Sequence, residues 1–534
     1  MPRAAPGSGG AVSGAGPRFV LLSPAKGGSG IDEDLLVRWP LLLGVALERT
    51  GAFRPRILRP GPGGGGGGPV PAGGLVAESR LMRGFHGQFL AEVRLHETTD
   101  FRLVAEGGAE AHHAHALPGV AREIGRTLAA GVTGQEPRPE ELRLRKVAVF
   151  RFAGARESGD LDAGTLLATE LEYALDEALF ARGVTVEAHP ARIGQAERDP
   201  RFTCAEFGAD GVIYGSFVRR EGELAVELLV GHCSGWVVGL KREDRWFALP
   251  GSGPPGEALI PCVTAAAEDL GVTLTEAEKR RAARPWAEDP EVWADLHHAR
   301  QAQHRGELVR ALDLLRKACD AAVAAHDHRG TATASLILAG WEAPRLGDEA
   351  QRGLARQALA EYGRAGDARG RAAALYLLAR LQRALGDATE AEACLRESLA
   401  VSRRLCDSLR AGLVMVELAE LMAAKGRREQ GRVQAQLNRA LERFRAVGAR
   451  VEEGWTLFRL GWRLRDDPTQ AVLQLEEAFR IAVETGDTQL EQEVAGQLSE
   501  LAYPPDLVGF VREWLEESAR KPPGSQTPTG LVPA

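Results

Sequence analysis

The chain contains 534 residues, of which 44% are hydrophobic and 26% are charged, and its formal net charge is -7 at pH 7. A chain of this length is too long for one hydrophobic core, so we expect several domains. The acidic balance argues against a nucleic-acid-binding protein of the strongly basic kind, and no apolar run approaches the roughly 20 residues of a membrane-spanning helix. The six cysteines form no C-x-x-C pair and the first residues lack the apolar core of a signal peptide, so we expect a cytoplasmic protein.

Residues 18–133 are predicted to form a first α/β domain. Its elements are, in chain order, a buried strand, an apolar helix, a set of alternating strands and a second helix, at 18–23, 32–50, 75–105 and 117–130. A glycine-rich loop, 60–74, interrupts this domain. The loop lacks the Gly-Lys-Ser/Thr ending with which phosphate-binding loops grip their ligand, so we predict no nucleotide site there.

The same pattern starts again after a polar linker, 134–145, and residues 146–285 are predicted to form a second α/β domain. In both halves the order is strand, helix, short strand, hairpin, strand and helix. Gly183 follows the amphipathic helix at 162–182 and is well placed to end it. We therefore predict a tandem duplication whose first copy is the more divergent. Tails that we predict to be disordered flank the chain, at 1–17 and 520–534.

The segment Phe207 to Phe217, FGADGVIYGSF, followed by a hairpin turn at Gly222, resembles the N-terminal domain of TolB. That domain also occurs ahead of tetratricopeptide repeats in bacterial adenylate cyclases and transcription regulators. The resemblance covers 146–272 and, more faintly, 18–133. It implies a small α/β binding or assembly module with no known catalytic residues. The chain lacks the cyclase or winged-helix segment that would make it one of those regulators.

The C-terminal part, 286–519, has a period close to 40 residues. Glycine turns recur at spacings of 41, 39 and 40 residues, at Gly306, Gly347, Gly386 and Gly426. Repeat ends recur at spacings of 40, 40, 42 and 38 residues, at Asp327, Asp367, Asp407, Ala449 and Asp487. A helix pair of this length cannot bury both of its faces alone, so the sequence predicts a solenoid of about five helix pairs.

Small and large apolar residues recur within these repeats in the order short, long, short, as at Ala391, Leu395 and Ser398 after the turn at Gly386. This pattern resembles the tetratricopeptide repeat, with longer helices because the period exceeds about 34 residues. The resemblance implies a right-handed α-solenoid that binds a protein or a peptide. The predicted fold class is therefore multidomain, with two similar α/β (or α+β) domains followed by an all-α solenoid.

No catalytic or metal-binding constellation is predicted. His112, His113 and His115 are of a type that ligates zinc or nickel, but no matching Cys, His or Asp pair lies at finger spacing, so we favour a solvated loop. His297 and His298 are neighbours on a predicted helix and point about 100° apart, so we interpret them as structural. Serine, histidine and acidic residues do not combine into a nucleophile motif. We therefore expect no enzyme activity and no cofactor.

The first helices of the repeats carry the candidate binding residues. If the tetratricopeptide register applies, their inner faces present aromatic and arginine side chains, the groups that dominate binding hot spots. The candidate partner-binding residues are Arg300, His304, Tyr376, Arg380, Arg383, Trp455, Trp462 and Arg465, with Trp293, Leu296 and Phe458 on the same faces. Such a face suits an extended peptide with carboxylates, which guanidinium groups bind bidentately. The alternative interpretation is that Trp293, Trp455 and Trp462 pack between helices and that the arginines are solvated.

Together these features predict a non-enzymatic, cytoplasmic adaptor of bacterial type whose solenoid binds a partner protein or peptide. No contact with nucleic acid or membrane is expected, and the sequence makes no prediction of oligomeric state. The alternative is a signalling regulator whose α/β domains bind a nucleotide or another small ligand and relay that state to the repeats.

Overall fold

The computed structural model describes residues 18–501 apart from a set of gaps, at 23–24, 28–30, 32, 51, 58–73, 84–88, 99–101, 112–116, 134–143, 155–162, 190–203, 205–208, 221–222, 233–234, 237–245, 251–252 and 342–347. Both predicted tails, most of the glycine-rich loop, most of the linker and the His112–His115 cluster lie outside the described residues. The chain divides into two compact units. One comprises Met1–Arg143, Arg201–Ala209 and Phe479–Glu491, and the other comprises Leu144–Pro200, Asp210–Ala478 and Gln492–Ala534.

The first unit contains a mixed sheet with two helices. Its elements are β1 Arg18–Leu22, β2 Lys26–Gly27, α1 Glu33–Arg49, β3 Phe53–Ile57, β4 Leu75–Arg83, β5 Phe89–Glu97, β6 Leu103–Ala111 and α2 Leu117–Thr133. The strand order is β3-β1-β4-β5-β6, with β2 paired to β4. Strand β1 runs parallel to β3 and β4, β2 runs parallel to β4, and β5 is antiparallel to β4 and β6. Alternate residues of β4 and β5 are buried, the pattern of strands with one face on a core.

The second unit begins with a sheet of the same design. Its elements are β7 Lys146–Phe150, β8 Ala153–Gly154, α3 Ala163–Leu179, β9 Thr185–His189, β10 Gly211–Arg220, β11 Glu223–His232, β12 Gly235–Trp236, β13 Trp246–Pro250, α4 Ile260–Asp269 and α5 Glu276–Ala282. The strands follow the order β9-β7-β10-β11, and β11 also pairs with β12 and β13. Strand β7 is parallel to β9 and β10, and β11 is antiparallel to β10 and β13.

The two sheets therefore share one strand order and one pattern of parallel and antiparallel neighbours, as the repeated order of elements in the sequence predicts. The parallel strands carry the crossover helices α1 and α3, because parallel neighbours need a long connection. The predicted domain bounds and the resemblance to TolB stay predictions.

Helix α3 is amphipathic. Its apolar stripe, which includes Leu167, Leu171 and Leu175, is buried in the core of the second sheet. A single 3-10 turn follows, and Gly183 then ends the segment with a left-handed φ of 76°. This confirms the role predicted for Gly183, because a left-handed terminal position strongly favours glycine. The other side of α3 carries acidic residues and Tyr173.

A helical repeat array forms the rest of the chain. Its helices are α6 Pro290–His304, α7 Leu308–Ala324, α8 His328–Trp341, α9 Asp348–Arg364, α10 Ala368–Ala384, α11 Ala388–Arg404, α12 Ser408–Ala424, α13 Gln430–Val447, α14 Arg450–Arg463, α15 Pro468–Thr485 and α16 Thr488–Glu500. The described residues thus form five successive helix pairs and a final helix. This confirms the predicted helical solenoid-like array, while its handedness stays a prediction.

The period of the sequence corresponds to turns and caps. Gly306, Gly386 and Gly426 have φ values of 77°, 85° and 107° in the turns inside the first, third and fourth pairs, while Gly347 lies outside the described residues. The aspartates at the predicted repeat ends are helix caps: the side chain of Asp367 accepts a hydrogen bond from the backbone N–H of Gly370 at 2.9 Å. The same bond is made by Asp327, Asp407 and Asp487. Each cap satisfies a backbone donor that the helix cannot pair itself.

Small residues allow the helices of a pair to approach closely. Ala379 and Ala391 are buried, and the hydroxyl of Ser398 donates a 2.8 Å hydrogen bond to the carbonyl oxygen of Ala372. The buried hydroxyl is therefore satisfied within the α10–α11 contact. This confirms the predicted core role of these positions in the central repeat.

Candidate partner-binding surface

The first helices of the pairs, α6, α8, α10, α12 and α14, carry the predicted binding residues. Helices α6, α8, α10 and α12 contact each other in succession, so these first helices form a continuous layer. We call the side of this layer that carries Arg300, Arg369, Arg410 and Arg459 the first-helix face. Arg465 lies just after the end of α14. The side chain of His304 lies outside the described residues, although its backbone ends α6.

Part of the first-helix face is covered by the acidic side of α3. Glu170 is 4% exposed and accepts a 2.9 Å hydrogen bond from the indole N–H of Trp293. The same carboxylate oxygen lies 2.5 Å from Nε2 of His297. The His297 ring in turn stacks on Trp286, with 4.9 Å between the ring centroids. Trp293, His297 and Leu296 are therefore buried contacts within the chain.

The next acidic residue of α3 pairs with a predicted binding residue. The Arg300 guanidinium donates a 2.8 Å hydrogen bond to Glu172 and lies 5.0 Å from the centroid of the Trp286 ring. Burial raises the pKa of Glu172, and the positive charge of Arg300 opposes that rise only in part. The cation of Arg300 is thus already engaged by a carboxylate from the α/β sheet domain.

Arg369, at the start of α10, is the centre of the covered region. It donates hydrogen bonds to Asp176 at 2.6 Å and to Glu177 at 2.7 Å, and it lies 3.6 Å from the cap residue Asp407. Its guanidinium lies 4.2 Å from the centroid of the Phe180 ring. Burial acts to lower the pKa of Arg369, but the three carboxylates raise it well above its ordinary value.

A second group of residues on α10, α12 and α14 is not covered by α3 contacts; we call it the open arginine cluster. It consists of Tyr376, Arg380, Arg383, Arg410, Glu417, Glu420, Arg459 and Arg463. The guanidiniums of Arg380 and Arg410 lie 5.9 Å and 5.5 Å from the centroid of the Tyr376 ring. These distances are those of cation–π contacts, so the ring holds two positive charges close together.

Two glutamates partly neutralise the open arginine cluster. Glu417 lies 3.1 Å from Arg383 and 3.8 Å from Arg380. Glu420 lies 2.8 Å from Arg463 and 3.5 Å from Arg459. Arg410 differs from the other four arginines, because no carboxylate among the described residues lies within ion-pair distance of its side chain. Burial lowers the pKa of Arg410 and the positive charge of Arg369 adds to this effect, while the carboxylates of Asp407 and Asp176 oppose it in part.

The aromatic residues of α14 extend this surface. The ring of Trp455 packs edge-on against Phe458, with 5.9 Å between centroids. Trp462 is 41% exposed, and the Arg465 guanidinium lies 5.3 Å from its ring centroid. Trp462 is therefore a surface residue and does not pack in the core between helices.

The sequence reasoning missed the residues that cover the first-helix face. Glu170, Glu172, Asp176 and Glu177 of α3 were not among the candidates, and neither was Arg369. One signal was present: Glu170, Tyr173 and Glu177 are spaced by three and four residues and form a stripe opposite the apolar stripe. A tyrosine within an acidic stripe indicates a contact surface, because its large ring buries apolar area only when it packs against another element.

Within the described ranges, no group of three or more His, Cys, Asp or Glu side chains is arranged to hold a metal ion. None of the helices in the described part of the chain is both long and apolar enough to cross a membrane.

No family model matches the chain, and no curated protein does. Solved structures with similar helical repeats include a Rap protein complexed with competence and sporulation factor, at 13% identity, 49% of this chain, 73% of that chain and a TM-score of 0.36. BtubC from P. vanneervenii matches at 16% identity, 45% of this chain, 85% of that chain and a TM-score of 0.26. A signal transduction ATPase with a tetratricopeptide repeat sensor, from Pyrococcus horikoshii, matches at 18% identity, 46% of this chain, 42% of that chain and a TM-score of 0.30.

Proposed function

We propose that the chain is a non-enzymatic scaffold that binds a protein partner through the open arginine cluster and the adjoining surface at Trp462. The observation that carries this proposal is the excess of positive charge around Tyr376. Arg380, Arg383, Arg410, Arg459 and Arg463 lie on adjacent first helices, and their ion pairs involve two carboxylates. Unneutralised guanidiniums on a rigid helical layer favour binding of a carboxylate-rich segment.

The partial desolvation of Arg410 favours binding of a partner carboxylate. Arg410 is half-buried, so it has lost part of its hydration, and no carboxylate in the described part of the chain lies within ion-pair distance of its guanidinium. A partner carboxylate that reaches Arg410 restores this interaction in a site with reduced access to water, where charge-assisted bonds are strongest. Trp462 adds exposed aromatic area at the same end of the face, which is the usual complement of arginine at hot spots.

A direct test is capture of partners by the purified full chain with matched variants. The double variant Arg380→Glu/Arg383→Glu reverses charge in the open arginine cluster. Arg310→Glu/Arg316→Glu is the control, because these two arginines are exposed on the second helix α7. We expect a captured protein, once identified and purified, to bind the wild type and the control with equal affinity and the cluster variant at least tenfold more weakly. Equal binding to all three chains would show that the cluster is not the binding surface.

A second candidate function is the regulator in which the α/β domains relay a signal to the repeats. The specific observation in its favour is that α3 belongs to the second sheet and also forms ion pairs with α6 and α10. A displacement of α3 by a ligand would therefore reach the first-helix face directly. Thermal-shift measurements on the full chain with nucleotides test this candidate, and no shift at saturating nucleotide would contradict nucleotide sensing.

A further inference from the structure

We propose that α3 is an internal ligand of the repeat array, and that the external partner presents an acidic amphipathic helix that competes with α3 for the first-helix face. This inference rests on the proposed function and specifies the partner and its regulation. It implies that in the described structure α3 already occupies part of the first-helix face. Arg369 is then bound to the chain's own carboxylates, Asp176 and Glu177.

Helix α3 contacts the repeat array in the way that a bound ligand would. Four of its carboxylates meet first helices: Glu170 and Glu172 on α6, and Asp176 and Glu177 on α10. The contacts are directional hydrogen bonds to arginine and indole groups, with Tyr173 edge-on to Trp286 at 5.3 Å between centroids. This arrangement is a helix whose acidic side lies on an arginine and aromatic face, so the contact is governed by charge complementarity.

The ion pairs of α3 with the first helices can be replaced by those of a competing acidic helix. Burial raises the pKa of Glu177 as well as that of Glu172, and the paired arginines reverse the rise only in part. The cost of removing these carboxylates from water is therefore not fully recovered. Leu166 and Tyr173 of α3 also pack against the apolar cluster of the first repeat, so a competitor replaces the ionic part of the contact. A partner that offers equivalent carboxylates does so without leaving a cation unpaired.

The covered part of the first-helix face is continuous with the open arginine cluster. Arg369 pairs with Asp176 and Glu177 of α3, and Asp407 contacts Arg369 while capping the helix that carries Arg410. An acidic helix that enters at Tyr376 and Arg410 therefore meets Arg369 next. Its carboxylates repel those of α3 at this point, so binding of the partner and docking of α3 oppose each other.

The chain's own helix has an advantage in this competition. Because α3 belongs to the same chain, its docking on the face is intramolecular, and an external helix must compete with that high effective concentration. Weakening α3 therefore raises the apparent affinity for any acidic helix, even though no residue of the face is changed.

The test uses a fluorescent, N-acetylated peptide of residues 163–182 and the full-length chain. Binding is measured by anisotropy with the wild type and with Asp176→Asn/Glu177→Gln, which keeps the shape of α3 and removes the charges that face Arg369. We expect the variant to bind the peptide at least tenfold more tightly than the wild type does. Adding Arg410→Ala to the variant should remove most of that gain. A peptide with Gln or Asn in place of its four face-contacting carboxylates should bind neither chain.

Two controls keep the outcome decisive. Glu429→Gln removes a partly exposed carboxylate that pairs with Arg432 on the same chain, and it should leave peptide affinity unchanged. Circular dichroism melting verifies that each variant is folded, and Glu172→Gln gives an independent version of the same comparison if the double variant is not. Equal peptide affinity of the wild type and the folded α3 variants overturns competition by α3. That result leaves partner capture through Arg380 and Arg383 intact, so the two proposals fail separately.

Discussion

Replacing Arg369 with methionine is the most informative single change, because it removes the guanidinium but keeps a long apolar side chain. Arg369 makes two charge-assisted hydrogen bonds, at 2.6 Å and 2.7 Å, and lies over Phe180 at 4.2 Å. Such bonds contribute about 1.5–3 kcal/mol each, and removing one partner of a buried pair typically costs about 3–5 kcal/mol. The side chain is 24% exposed, so we expect a loss near the lower limit, about 3 kcal/mol.

The measurement is urea unfolding at pH 7, followed by tryptophan fluorescence, with Arg371→Met as the matched control. Arg371 is on the same helix two residues later, is 46% exposed and pairs with Glu397 on the surface. The control should lose less than about 1 kcal/mol, as surface pairs do. If the free energies of unfolding of the two variants differ by less than about 1 kcal/mol, the contacts of Arg369 with α3 contribute little and the prediction is wrong.

Three further predictions concern pH, caps and packing. The Arg182 guanidinium, hydrogen-bonded to Glu278, lowers the pKa of that carboxyl to about 2. Glu278→Gln should therefore lower the free energy of unfolding above pH 4.5. In urea unfolding at decreasing pH, the difference in free energy between variant and wild type should vanish as the pH falls towards 2. Asp367→Ala should cost about 2 kcal/mol because that cap also pairs with a buried arginine, whereas the exposed cap variant Asp387→Ala should cost about 1 kcal/mol by the same assay. Gly461→Ala should lower the melting temperature because its Cβ would lie 2.6 Å from a leucine, whereas Gly353→Ala, with open space around it, should raise it.

Local features of this fold could be predicted from the sequence. The repeated order of elements along the chain predicted two α/β units of one design, and the two sheets share one strand order. The 40-residue period was visible because Gly306, Gly386 and Gly426 take backbone angles that favour glycine, and because Asp367 and its equivalents cap helices.

The covered surface could not be predicted, because its contacts join distant parts of the chain. Glu170 and Trp293 are 123 residues apart, and Asp176 and Arg369 are 193 residues apart. Periodicity reports which side of α3 is polar, but a polar side in water and a polar side against arginines have the same sequence pattern. For the same reason, the sequence placed Trp293 and Arg300 with Arg380 among the residues facing a groove, whereas the first two contact α3 and Arg380 belongs to the open arginine cluster.

The contact of α3 with both α6 and α10 also has a consequence for how this array unfolds. A simple repeat array has contacts between adjacent repeats alone, so it frays from its ends and loses its repeats in steps. Here one helix joins the first repeat to the third through Arg300 and Arg369. Release of α3 therefore breaks contacts of both α6 and α10 at the same time. Hydrogen exchange should show the amides from α6 to α10 protected to a similar degree, and those of α14 exchanging sooner.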